Sequence, residues 1–344
     1  MDENKSFEDI MKEITHGLTG DPASDMKYLE EQGEKYKDHE YSKEITRACG
    51  RLMYELIPDD TKEEIGRLID NDNKGFEAAL EEVRFNHYEK NFGKALKLIE
   101  NMVRKYETWN MYADDAVSEY HTFREPMQEI IYEYIAQPQK ELRRAQVDYS
   151  EMYFQYGSLL FEFKRWEDAE AALAKAMRWN PTYARVAFEH AETFKVRGMI
   201  DEFKDLTMDI FRYAYRPDDV AHCYRNLAYY YVEKKEYKPA VCCLLFSNQY
   251  EKNQVAMSEL YYISQQTGEI YDPTAEELHA VFEVYEIPYA PDVEILKLAY
   301  GYGKHFYDNG DMHSAVYFLE IVTWFHEDAD LMEMFEDARS KIGS

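Results

Sequence analysis

In DNDNKGFEAALE, Asp70, Asp72, Gly75 and Glu81 stand at positions 1, 3, 6 and 12 of a calcium loop, where oxygens converge on the ion and glycine allows the turn. Position 5, however, is Lys74, a cation where a ligand is needed, and position 8 is Glu77 where an apolar residue packs. The stretch reads instead as an acidic turn followed by a helix cap. Two Glu-x-x-His pairs, Glu13 with His16 and Glu276 with His279, have the spacing of a di-metal carboxylate site, which needs the helices of one closed bundle. AYGYGKH offers Gly301, Gly303 and Lys304, but the surrounding periodicity puts them inside a helix and not at the phosphate-binding start of one. No HExxH, Walker, GxSxG or dinucleotide glycine pattern occurs, and Ser, Cys and His show no spacing of a catalytic set. Cys49, Cys223, Cys242 and Cys243 have no CxxC spacing and read as reduced, packed thiols. The expectation is a protein that is not an enzyme, with no catalytic residues, metal site or cofactor.

Any chemistry must therefore come from a surface, and composition restricts which. Of 344 residues, 45% are hydrophobic, enough to build a core, while 10 Pro and 14 Gly are too few for a sandwich or barrel rich in tight turns. Against 40 basic side chains stand 68 acidic ones, a formal charge of −28, whose field repels phosphate backbones and anionic lipid. Neither nucleic acid nor membrane is expected as a partner. The acidic start MDENKSFEDIMKEITHGLTGD lacks a basic segment followed by an apolar run, and no long apolar stretch follows it; the expected location is the cytoplasm.

The elements recur. In YFQYGSLLFEFKRWEDAEAALAKAMRWNP, Tyr153, Tyr156, Gly157 and Leu160 follow helical spacing, and so do Ala169, Leu173 and Ala176 after a break at Lys164 to Glu167. The same offsets return with Tyr224, Leu227, Ala228, Tyr231, Ala240 and Leu244, and with Tyr302, Gly303, Phe306, Ala315 and Leu319. Small residues at Gly157 and Ala169 would let two helices approach closely.

This pattern resembles the tetratricopeptide repeat, a 34-residue helix pair. Three units match well, beginning near Ser150, Ala221 and Leu296; looser ones begin near Ala184 and Met257, and weaker ones near Leu29 and Phe76. The chain is similar to bacterial repeat proteins to which no reaction is assigned. The resemblance implies an all-α superhelix of about eight hairpins stacked neighbour on neighbour. Its expected organisation is N-terminal helices with one degenerate repeat over 1–75, a divergent repeat and an irregular helical pair over 76–149, an array over 150–328 and a capping helix over 329–344. In such a stack remote segments do not meet, so the two Glu-x-x-His pairs are expected to stay apart.

The family's ligand wall carries positions 2, 5 and 9 of each first helix, with position 6 beside them. Here these are Glu151, Phe154 and Ser158; Arg185, Phe188, Glu189 and Glu192; His222, Arg225, Asn226 and Tyr229; and Lys297, Tyr300 and Lys304. The chaperone-binding members use Lys, Asn, Asn, Lys and Arg where this chain has Phe154, Ser158, Glu189, His222 and Asn226, so a terminal carboxylate is not the implied ligand. Arg185, Arg225, Lys297, Lys304 and a protonated His222 among aromatic rings predict a groove for a protein or peptide with acidic and apolar groups. The alternative at this point is that Glu151, Glu189 and Glu192 neutralise those cations, with binding elsewhere. A non-catalytic scaffold is the expected function; a regulator working through self-association, and hence a homo-oligomer, is the competing one.

Overall fold

The computed structural model describes residues 5–109 and 112–342. Residues 1–4, 110–111 and 343–344, which fall in three of the expected segments, lie outside the described residues. Among the described residues are 17 helices and two short strands, and no helix is long and apolar enough to cross a membrane. Helices pack in chain order as successive pairs, an all-α helical repeat. The chain divides into two compact units: residues 1–122 with 138–152, and residues 123–137 with 153–344.

Unit 1 holds α1 (Phe7–His16), α2 (Pro22–Lys35), α3 (Ser42–Leu56), α4 (Asp59–Tyr88), α5 (Phe92–Trp109), β1 (Ser118–His121) and β2 (Glu141–Arg144). Asp21 caps α2 by accepting from the Ser24 N–H at 3.0 Å, with Pro22 in the first turn. Ile10, Ile14, Leu29, Ile45 and Cys49 close the core of the first three helices. The supposed turn at Asp70–Glu81 does not exist. It lies within the 30-residue helix α4, whose Phe76, Leu80 and Val83 are buried on one face. That apolar stripe, with ion pairs such as Arg84–Glu81 at 3.2 Å, overrides the turn propensity of Asn and Gly, and a straight helix cannot wrap an ion. The irregular helical pair expected before residue 149 is also corrected: β1 and β2 pair in parallel with Ser118 opposite Glu141, and one helix, α6 (Pro126–Ala136), lies between them in sequence.

Unit 2 contains α6, α8 (Trp166–Trp179), α9 (Ala184–Val196), α10 (Ile200–Phe211), α11 (Pro217–Glu233), α12 (Tyr237–Tyr250), α13 (Gln254–Thr267), α14 (Ala275–Val284), α15 (Val293–Asp308), α16 (Met312–Thr323) and α17 (Ala329–Ile342), with most of α7 (Tyr149–Glu162). One core runs from Met127 to Phe335. Its first helices other than α13 end alike, whereas α13 closes directly on left-handed Gly268 at φ 75°. After α7, α9, α11 and α15, the second residue past the helix is left-handed: Lys164, Gly198, Lys235 and Gly310, with φ of 58, 73, 60 and 84°. The next N–H then reaches back to a carbonyl of the last helical turn: Arg165 to Leu160, Met199 to Phe194, Glu236 to Tyr231 and Asp311 to Phe306, at 2.8–3.0 Å. That closure satisfies helix-end carbonyls and starts the second helix at a fixed angle. In unit 1 the end of α4 repeats it, through Lys90 at φ 59° and Asn91 to Asn86 at 2.8 Å.

Between paired helices the small residues permit contact. A Cβ on Gly157 would lie 2.5 Å from Leu173 Cγ, and one on Gly303 2.8 Å from the Leu319 side chain. The array is nevertheless not purely nearest-neighbour. Residues 123–137 enter unit 2, where Asn180 and Thr182, between α8 and α9, donate to Gln128 at 2.8 Å each. Glu125 accepts from Tyr215 Oη at 2.6 Å, Arg216 at 2.5 Å and Tyr317 Oη at 3.4 Å, and Met127 and Ile131 join the common core. Helix α6 thus ties the α8–α9 and α10–α11 turns to α16. This corrects the expectation that segments remote in sequence do not meet. All four cysteines are unbridged and buried.

Candidate functional site

The first helices of three consecutive pairs, α9, α11 and α13, line a cavity of about 310 Å³. Its floor is apolar, with Ala228 and Val232 from α11, Leu244 from α12 and Val255 and Ala256 from α13. Asn253 caps α13 by accepting from the Val255 N–H at 2.8 Å, which fixes the start of that wall. Five of the residues picked out by the stripe meet here: Glu192, His222, Arg225, Asn226 and Tyr229.

Along the wall, position 5 of one first helix touches position 2 of the next. Arg185 lies over the Phe154 ring at 4.6 Å, and Phe188 stacks on His222 with centroids 3.9 Å apart and planes 17° from parallel. Phe154 and Phe188 are buried in these contacts and do not offer open aromatic area. Arg185 remains exposed on its outer side. Asn226 is buried, its amide 3.5 Å from Thr207 Oγ1.

The charge pattern differs from the one expected. Arg225 pairs with Glu251 at 2.8 Å, Lys297 with Glu294 at 2.7 Å and Lys304 with Asp308 at 2.8 Å. His222 is not protonated at neutral pH: burial, with Arg225 and Lys195 nearby, pushes its imidazole down to about 4. Lys297, Tyr300 and Lys304 lie exposed on α15 and are not part of the cavity. Glu151 is 2% exposed, 4.0 Å from Arg84 within unit 1, so it is absent from the cavity lining. Ser158 Oγ is buried with no hydrogen-bond partner among the described residues. Glu189 is half-buried and does not line the cavity.

Lys195, Glu251, Asn253 and Glu259 were not in the stripe. Lys195 and Val232 occupy position 12 of their units, one turn beyond position 9, so a longer stripe would have found both. Lys195 pairs with Glu192 at 3.0 Å, and its ammonium lies 4.5 Å from the Tyr229 ring centre. Glu251 follows the end of α12 and carries no periodic signal.

The two Glu-x-x-His pairs sit on α1 and α14; Glu13 accepts from Lys5 at 2.6 Å, and His279 Nδ1 is hydrogen-bonded to Tyr289 Oη. Among the described residues no three His, Cys, Asp or Glu side chains cluster closely enough to hold a metal ion. A second cleft, about 370 Å³, opens between α12, α13 and residues 269–272. Beside it Met257, Tyr261 and Ile270 are 59, 67 and 86% exposed.

No family model matches the chain, and no curated protein matches it significantly.

Proposed function

We propose that this chain is a tetratricopeptide-type array that acts in the cytoplasm as a non-catalytic scaffold, holding an extended protein or peptide segment against the wall of α9, α11 and α13. The observation that carries the reading is the cavity: an apolar floor with polar groups at its rim, built from three successive first helices, is the form in which a rigid wall receives a side chain of a bound segment. The matching turns and the two glycine contacts support the repeat assignment.

The test is to pan a random heptapeptide display library on the purified chain and on Val255→Trp. Val255 is 64% exposed at the cavity, so an indole there blocks the floor without entering the core. Peptides retained by the wild type are expected to lose at least tenfold in affinity on the variant, with its thermal midpoint unchanged. Peptides that bind both equally place recognition elsewhere.

A second reading rests on Met257, Tyr261 and Ile270, whose exposure fits self-association through α13. Light scattering at two concentrations checks it: a dimer that Tyr261→Glu disperses supports it, and a monomer at both concentrations removes it.

A further inference from the structure

The cavity's charges can be counted, and they name the kind of side chain it takes. This step rests on the scaffold reading above. Two cations line the cavity and both already have carboxylates: Lys195 holds Glu192 and Arg225 holds Glu251. An acidic ligand would have to displace one of these acids and leave it unpaired in a partly buried place. Glu259, by contrast, lines the cavity with no cation within 4.0 Å among the described residues. It lies on the side of Tyr229, whose phenol is raised by burial and then by the carboxylates of Glu233, Glu192 and Glu259. The Lys195 ammonium, 4.5 Å from the Tyr229 ring, is already held by Glu192, so among the described residues Glu259 is the lining carboxylate without a cation of its own, and a chain of formal charge −28 draws cations toward it.

We propose that the cavity receives a lysine or arginine side chain from an extended basic segment of a partner protein, the aliphatic stem lying on Val232, Val255 and Ala256 and the cationic head meeting Glu259. Long basic side chains suit such a place because their methylenes cover apolar surface while the charge stays at the rim. The neutral His222 on the cavity wall adds no repulsion toward a cation.

The experiment uses the same heptapeptide selection and then calorimetric titration of individual selected peptides against wild type, Glu259→Gln and Val255→Trp. Expected are a pool enriched in Lys and Arg beside apolar residues, a loss of about tenfold in affinity with Glu259→Gln, and weaker binding at higher salt. Glu259 is on the surface of α13, so its amide variant should keep the wild-type thermal midpoint; Glu259→Lys, if also folded, should abolish binding. A pool enriched in Asp and Glu or in neutral residues overturns the basic anchor, as does indifference to Glu259→Gln. When such peptides still lose affinity with Val255→Trp, the scaffold reading survives and only the anchor fails; when no peptide is retained, or none responds to Val255→Trp, both fail.

Discussion

Glu125→Gln should loosen unit 2 although Glu125 lies at the start of a helix far from the cavity in sequence. Its carboxylate accepts from Arg216, Tyr215 and Tyr317, and it caps α6 through a capping box with Gln128. Hydrogen bonds to a charged partner are worth about 1.5–3 kcal/mol each when buried. The Arg216 side chain is 40% exposed, so solvent reduces its share to about 1 kcal/mol. The buried Tyr215 hydroxyl contributes about 1.5 kcal/mol, and the weak bond from Tyr317 little. Glutamine keeps one acceptor and recovers part, leaving a loss of about 2 kcal/mol, or about 4–8 °C in the thermal midpoint for a unit of this size.

The pH dependence separates this cause from a packing defect. Burial alone would raise the Glu125 carboxyl, but the bonds from Arg216 and Tyr215 outweigh it and hold it below the usual range. A depressed carboxyl stabilises the fold above the unfolded value of about 4.3, and that contribution disappears as pH falls through the folded value. Circular-dichroism melts of both proteins should show the full gap at pH 7 and a closing gap below about pH 4. Equal midpoints at pH 7, or a gap that persists undiminished at pH 3, would refute the assignment of Glu125 as a charged tie.

Backbone geometry gives paired expectations: Gly157→Ala and Gly303→Ala should each cost about 1–3 kcal/mol by overpacking against Leu173 and Leu319, whereas Gly301→Ala, with open space around it, should add about 0.5–1 kcal/mol. Lys164→Gly and Lys235→Gly should stabilise by about 1 kcal/mol, because both lysines are left-handed; denaturant melts resolve all five. Burial, and then Asp218, raise the Asp219 carboxyl to about 7. The folded state therefore loses stability as pH rises from about 4 to about 7, and Asp219→Asn should stabilise it at pH 8 by up to about 4 kcal/mol, read as a higher thermal midpoint, while leaving it nearly unchanged at pH 4.

Much of the array was legible because its signals are local. A small residue at Gly157 or Gly303 and an apolar partner at Leu173 or Leu319 recur at one separation, and the helix pairs follow. The lysines at 164 and 235 hid the shared turn, since glycine marks it openly only at Gly198 and Gly310. Helix α6 could be sensed only as a start, from Glu125, Pro126 and Gln128; nothing within eleven residues says that Tyr317 awaits it. The calcium spacing misled because burial of Phe76, Leu80 and Val83 outweighs the turn preference of the residues before them. At the cavity, the stripe found His222, Arg225 and Tyr229, but residue type alone did not reveal that Arg225 already holds Glu251 or that burial keeps His222 neutral.

A stack joined only at its seams behaves like a coil spring, breathing in pitch as thermal energy spreads along it. The rung formed by α6 links the α8–α9 and α10–α11 turns to α16 and so stiffens this mode where α9 and α11 stand. If the proposed segment binds there, it would meet two walls whose spacing is already set, and less of its contact energy would be lost to ordering the receptor.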